Sequence, residues 1–323
     1  MTPPSGTTLE LITVGRICVD LYANEAGAGF MNPQTFTKSI GGSATNVAIA
    51  AARLGRRAAV FTKVGDDPFG QYVRHKLELF GVDTRYVSTH PSMPTPLAFA
   101  AMDPPEDPQL LMYRYPMGPD QTLHISEIDR QAVVDVPVLW LTGAWFSKAP
   151  AREACWELLS IRARKAHVVF DIDYRANFWP GGRDEATADL STVLDHVTVA
   201  VGNRTECEVA VGSADPTEAA RRLLDRGVEL AVVKMGGEGV MVATSQGSTV
   251  VPPHFVEVVC GLGAGDAFGG MLAHGLLSGW EPVRIVEYCN VAGAIVASRL
   301  LCSDAMPTLA EVAEALEDRR VAG

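Results

Sequence analysis

Compact apolar runs alternate with stretches of helical composition along most of the chain. Residues 9–14, 58–64, 138–142, 167–172, 197–201 and 230–234 are short, β-branched-rich runs of strand length. Residues 44–54, 152–165 and 216–226 lie between them with helical composition. A strand buried on both faces reads as a continuous apolar run, and strands interleaved with helices predict a mainly parallel sheet covered on both sides. The expected class is α/β.

Two regions break this rhythm. Residues 96–102 and 110–115 are extended candidates around a polar, proline-rich turn at 103–109, and 34–40 is a third, just before two glycines. They read either as a small β flap inserted into the α/β body or as a pair of surface hairpins. The last third predicts a helix over 264–277 that starts in a glycine-rich turn, a second over 283–301, and a third over 309–319 capped by Thr308. Internal repeats, low-complexity tracts and interdomain linkers are absent from the pattern.

Charge narrows the partners. The 323 residues carry a formal net charge of −11 with no basic run, which disfavours nucleic acid and anionic membranes but leaves a small anionic substrate open. No apolar stretch approaches the ~20 residues of a membrane span. Met1–Thr8 has neither a charged nor an apolar signal region, so no secretory signal is expected. The six cysteines are scattered without a Cys-x-x-Cys pair, as expected of buried thiols in a reducing compartment, and a cytoplasmic location follows as an expectation.

The most informative stretch is Gly261-Leu262-Gly263-Ala264-Gly265-Asp266. Glycines let backbone amides converge, and the following helix adds its positive end, which together suit a phosphoryl group. Asp266 falls in the first helical turn, where it could take the proton of an attacking hydroxyl. The plainer alternative is an aspartate that only complements the helix dipole. Rival phosphate motifs are missing: there is no Gly-Lys dipeptide for a P-loop and no Gly-x-Gly-x-x-Gly. His-Glu-x-x-His and Gly-x-Ser-x-Gly are missing as well.

Six segments in order resemble the pfkB/ribokinase family of sugar kinases: Gly41-Gly42-Ser43-Ala44-Thr45-Asn46, Val64-Gly65-Asp66-Asp67-Pro68-Phe69-Gly70, Asp171-Ile172-Asp173-Tyr174-Arg175, Asn203-Arg204-Thr205-Glu206, Lys234-Met235-Gly236-Gly237-Glu238-Gly239 and Gly263-Ala264-Gly265-Asp266-Ala267-Phe268. The resemblance implies one ribokinase-like domain over 9–315, with lid segments near 16–40 and 96–117. It implies a central sheet of roughly eight or more strands, ATP as donor, Mg2+ as cofactor, and K+ as a further activator in many relatives. A homodimer through the lid is expected by the same resemblance.

Role by role, the resemblance makes Asp266 the catalytic base over an anion hole at Gly263, Ala264 and Gly265. Asp20, Gly42 and Asn46 would bind sugar hydroxyls, and Arg114 and Arg175 the acid end of a sugar acid, since a guanidinium matches a carboxylate in shape. Asn203 and Glu206 would organise the metal and phosphates through water, although the pair also reads as a helix cap. Lys234, Gly236, Gly239 and Asn290 would bind the nucleotide.

Within the family, Gly15-Arg16-Ile17-Cys18-Val19-Asp20-Leu21-Tyr22, Tyr113-Arg114, Trp179 and the segment from Ala292 to Arg299 resemble the 5-dehydro-2-deoxygluconokinases of inositol catabolism. The implied reaction is phosphorylation of 5-dehydro-2-deoxy-D-gluconate at its primary hydroxyl to the 6-phosphate. Kinases of 2-keto-3-deoxygluconate, fructose or another sugar, and a catalytically silent sugar-binding regulator, stay open beside it. One departure stands out. The family usually has Asp-Thr where this chain has Cys260-Gly261, which removes a carboxylate and a hydroxyl near the monovalent-cation region of many relatives.

Overall fold

The computed structural model describes residues 8–322. Among them the strands are β1 Leu11–Val14, β2 Cys18–Ala23, β3 Phe36–Gly41, β4 Ala58–Gly65, β5 Val87–His90, β6 Leu97–Ala101 and β7 Gln109–Tyr113, followed by β8 Val138–Thr142, β9 His167–Asp171, β10 Val199–Asn203, β11 Leu230–Lys234, β12 Val240–Thr244 and β13 Gly247–Val251. Nine form a large sheet in the order β13-β12-β11-β10-β9-β8-β1-β4-β5. Its pairs are parallel except at one edge, where β12 and β13 run antiparallel.

Side chains of the central strands alternate between two cores, as a period of two requires. Leu11 and Trp140 face one core with helices Ser43–Arg53, Ala264–Leu277 and Pro282–Ala297, while Ile12, Leu139 and Leu141 face the other. Each such buried aliphatic side chain contributes about 1.5–3 kcal/mol. This two-sided burial is why the strands read as unbroken apolar runs.

The remaining four strands form a small sheet in the order β3-β2-β6-β7. Pairing of Asp20 with Ala98 and of Ala98 with Met112 puts these residues on one face, together with Cys18 and Leu110, and that face looks onto a cavity. The opposite face carries Leu21, Phe36, Phe99, Leu111 and Tyr113. The extended segments at 34–40, 96–102 and 110–115 thus belong to one sheet, and β2 completes it.

Two predicted boundaries shift for local reasons. The helix expected over 283–301 ends at Ala297, because the Ala297 carbonyl accepts from the Val259 and Cys260 amides, 2.8 and 3.1 Å away, where a continuing helix would supply its own donor. The strand expected over 197–201 runs instead from Val199 to Asn203, and ends in a helix cap.

Helices Ser43–Arg53 and Ala264–Leu277 cross with almost no side chain between them. A Cβ on Gly270 would overlap the Ala50 methyl. Alanine is the better helix former by about 0.8–1 kcal/mol, but forcing a methyl into this contact costs about 1–3 kcal/mol. Gly270→Ala is therefore expected to lower the denaturant midpoint of unfolding. An unchanged or higher midpoint would show slack between the two helices.

Candidate active site

The C-terminal ends of the parallel strands converge on the glycine-rich turn, the usual place for a site in such a sheet. Asp171 ends β9, Asn203 ends β10 and Lys234 ends β11. Two cavities meet there. The smaller, of about 270 Å³, is lined by Arg16, Asp20, Asn46, Asp173, Arg175 and Asp266 among others. The larger, of about 490 Å³, includes Gly236, Gly239 and Asn290. Lys234, Gly261 and Gly265 border both.

Asp266 sits in the first turn of helix Ala264–Leu277, where the leading amides have no partner within the helix. Its Oδ2 accepts from Asn46 Nδ2 at 2.7 Å. Burial pushes its carboxyl up to about 6, against the Asn46 bond, which holds it down. Asn46 is itself fixed: Ser303 Oγ lies 2.7 Å from its Oδ1 and 2.6 Å from the Ile40 carbonyl. A buried carboxylate beside unpaired amides can accept a proton while those amides hold an anion.

Lys234 supplies a cation to the same place, since a Cβ on Gly265 would lie 3.5 Å from its Nζ. Burial opposes its charge, but Asp171, Glu206 and Asp266 outweigh that and raise its pKa. Asp171 is pushed up by burial, with Asp173 and Glu206 adding to the effect of burial and Lys234 opposing it. Burial opposes the charge of Asp173 too, yet Arg175 and Arg16 win and its pKa falls.

The structure brings most of the expected residues together. Asp20 faces the smaller cavity with Cys18 Sγ and Tyr22 Oη donating to its two oxygens, each at 3.1 Å, and burial raises its pKa. Gly42 caps helix Ser43–Arg53 with φ +107°, and a Cβ there would overlap the Arg16 carbonyl. Arg175 donates from Nε to Asp173 Oδ1 at 2.9 Å. Asn290 lines the larger cavity and donates to the Pro252 carbonyl at 2.9 Å.

Two placements differ from expectation. Arg114 does not line the smaller cavity: its Nη2 donates to the fully buried Asp120 at 2.6 Å, and its guanidinium lies over Trp145 and Phe178. Asn203 is exposed and forms a capping box, accepting from the Glu206 amide at 2.9 Å while Glu206 Oε2 accepts from the Asn203 amide at 2.7 Å. Only Glu206 of this pair lines the cavity. Arg16, Ser43 and Asp173 also line it, and sequence reasoning gave them no role; Ser43 Oγ donates to Asp173 Oδ2 at 2.8 Å.

The turn at 103–109 closes over the junction of the two cavities. The Gly261 amide donates to the Pro105 carbonyl at 2.9 Å, and Glu106 borders both cavities. A Cβ on residue 261 would overlap the Glu106 carbonyl oxygen. Glycine in place of the family's threonine is what this close approach demands.

The model of the pfkB family carbohydrate kinases matches residues 8–309. The chain is 34% identical over 319 residues to the 5-dehydro-2-deoxygluconokinase of Geobacillus kaustophilus, covering 97% of this chain and 95% of that one. It is 33% identical to the 5-dehydro-2-deoxygluconokinase 2 of Bacillus cereus, covering 96% and 95%. The fold is similar to the fructokinase of Vibrio cholerae solved with fructose, ADP and a calcium ion, with a TM-score of 0.83, 25% identity, and 96% and 99% of the two chains covered. The fructokinase of Xylella fastidiosa with bound ATP gives a TM-score of 0.82 at 22% identity, covering 96% and 98%.

Proposed function

The chain belongs to the pfkB family of carbohydrate kinases, enzymes that phosphorylate sugars, and from that premise we propose that it transfers the γ-phosphoryl group of ATP to the primary hydroxyl of a sugar acid. The favoured acceptor is 5-dehydro-2-deoxy-D-gluconate, the substrate in the names of its similar relatives. The observation that carries the acid reading is a pair of arginines on the wall of the smaller cavity, Arg16 and Arg175, which share Asp173 as their ion-pair partner. Arg175 Nε serves Asp173, while its Nη1 and Nη2 donate to no acceptor among the described residues. A neutral sugar gives such a fork nothing to neutralise; a carboxylate fits it.

In this reading the acceptor fills the smaller cavity, its hydroxyls meeting Asp20, Asn46 and the backbone at Gly42. ATP occupies the larger one, its adenosine along Gly236, Gly239 and Asn290 and its γ-phosphate at the amides of 263–265 beside Lys234. As the acceptor oxygen bonds to phosphorus, the bond to the ADP oxygen breaks and the hydroxyl proton passes to Asp266. Phosphoryl transfer is loose in its transition state, so placement and charge neutralisation matter more than base strength. The small sheet, as a lid, excludes water that would compete as acceptor.

Among the described residues no group of three or more His, Cys, Asp or Glu side chains could hold a metal ion. Magnesium fits this site as a companion of the nucleotide, with the phosphates and water as ligands and Glu206 reached through water. When bound it neutralises phosphate charge. A monovalent cation has less to hold it here than in many relatives, because Cys260 and Gly261 supply neither the carboxylate nor the hydroxyl oxygen that Asp-Thr would. The proposal takes 9–315 as one domain. It pairs two copies through the outer lid face, where Phe36, Phe99 and Tyr113 stack edge to face at 5.3 and 5.6 Å under open solvent. All six cysteines are free and buried, as suits a reducing cytoplasm.

The base works in its ionised form, so kcat/KM should rise with pH through a limb near 6, the value set by burial of Asp266 in the free protein. Asp266→Asn should cut kcat by roughly 10²-fold or more, leave KM for ATP nearly unchanged and abolish that limb. Turnover near the wild-type level would remove Asp266 as the base. The substrate class is tested by a panel: kcat/KM for 5-dehydro-2-deoxy-D-gluconate should exceed that for fructose and ribose by about tenfold to a hundredfold, one charge-assisted hydrogen bond. Better turnover of a neutral sugar than of every acid would replace this reading with a general sugar kinase.

A further inference from the structure

We propose that Arg16, to which the sequence motifs assign no role, is the specificity-determining residue that reads the acceptor's carboxylate; this deepens the sugar-acid reading above and rests on it. Arg16 lies in the crossing from β1 of the large sheet to β2 of the small one. The peptide unit that follows it is pinned at both of its polar groups. The Arg16 carbonyl accepts from Thr45 Oγ1 at 2.7 Å, and the Ile17 amide donates to Asp120 Oδ2 at 3.1 Å. The side chain lines the smaller cavity, is 91% buried and lies 5.6 Å from the centre of the Phe178 ring.

A guanidinium has five N–H donors and cannot shed its charge, so burying it demands strong partners. Arg16 has weak ones. Nη2 reaches only 3.5 Å from Ser43 Oγ and 3.7 Å from Asp173 Oδ2. The buried Nε has no partner, and Nη1 donates to no acceptor among the described residues. The one carboxylate in reach, Asp173, is shared with Arg175 at the shorter distance of 2.9 Å. Asp173 is thus the single ion-pair partner of two guanidiniums among the described residues.

Arg114, which does not line the cavity, and Arg175 are less suited than Arg16 to fix the carboxylate. Arg114 is closed on Asp120 at 2.6 Å. Arg175 has a side chain 48% exposed, and its charge is felt chiefly by Asp173, then by Glu206, Asp266 and Asp171, the carboxylates around the phosphoryl turn. Arg16 is felt by Cys18, Asp20 and Asp120 on the lid side as well as by Asp173 and Asp266. A carboxylate held at Arg16 would lie at the crossing from β1 to β2, beside Phe178.

The test compares wild type, Arg16→Gln and Arg16→Lys on 5-dehydro-2-deoxy-D-gluconate and on its uncharged counterpart with CH2OH in place of the carboxylate. For Arg16→Gln, KM for the acid should rise roughly tenfold to a hundredfold, with kcat within a few-fold, KM for ATP unchanged and KM for the uncharged counterpart unmoved. Arg16→Lys, which keeps the charge but loses the fork, should recover part of the affinity. Melting temperatures and ATP affinity show whether each variant is folded, and the lysine variant alone still discriminates if the glutamine variant is not. An equal rise for acid and uncharged acceptor, or an unmoved acid KM in an enzyme that prefers acids, overturns the role of Arg16. A wild type with no preference for the acid overturns the sugar-acid reading itself.

Discussion

The approach of helix Ala264–Leu277 to helix Ser43–Arg53 is the constraint on which the site depends. Gly270 lies against Ala50 with no room for a Cβ. One turn earlier on each helix stand Asp266 and Asn46, hydrogen-bonded at 2.7 Å. Residues four apart share a helix face, so the contact of Gly270 with Ala50 sets the separation at which the Asn46 amide meets the Asp266 carboxylate. Deep packing and the placement of the Asp266 carboxylate are therefore linked through one turn of each helix. Asn46 in turn is braced by Ser303, which ties Asp266 to the segment following helix Pro282–Ala297.

Charge in the cavities is arranged by the strand ends. Asp171, Asp173, Glu206 and Asp266 would repel one another without Lys234, Arg175 and Arg16 among them, and the directions of the Asp171, Asp173, Asp266 and Lys234 shifts record burial together with this balance. Lys234 lies by the glycine-rich turn and Arg16 by the small sheet, so positive charge is available at both ends of an acceptor. The chain carries a formal net charge of −11, and Arg16, Arg175 and Lys234 place positive charge among the carboxylates that line the smaller cavity.

Much of the fold is legible in the sequence because the central strands are buried on both faces: 138–142 and 230–234 coincide with β8 and β11. β5 and β13 are harder to see, since Val87–His90 is short and Gly247–Val251 is mostly exposed and polar, so neither makes an apolar run. Site residues on local motifs, such as Asp266 after its glycines, are also readable. Arg16 carries no local signal; its meaning comes from Asp173 and Phe178, more than 150 residues away in sequence. Arg114 finds its partner Asp120 only six residues on, but only the fold shows that partner to be buried and the pair to lie off the cavity wall. The capping box of Asn203 and Glu206 shows a motif serving local structure and cavity at once.

Gly261 joins the small sheet to this arrangement, since the turn at 103–109 can rest on residue 261 only where it has no side chain. With the lid seated, the acceptor hydroxyl should be the only nucleophile near the γ-phosphate. The most direct measurement is the proton-coupled 31P spectrum of the product formed from ATP and 5-dehydro-2-deoxy-D-gluconate. Transfer to the primary hydroxyl gives a phosphorus coupled to the two protons of a methylene group, with ADP formed in equal amount. A phosphorus coupled to a single carbon-bound proton, or inorganic phosphate as the main product, would contradict transfer to the primary hydroxyl at Asp266.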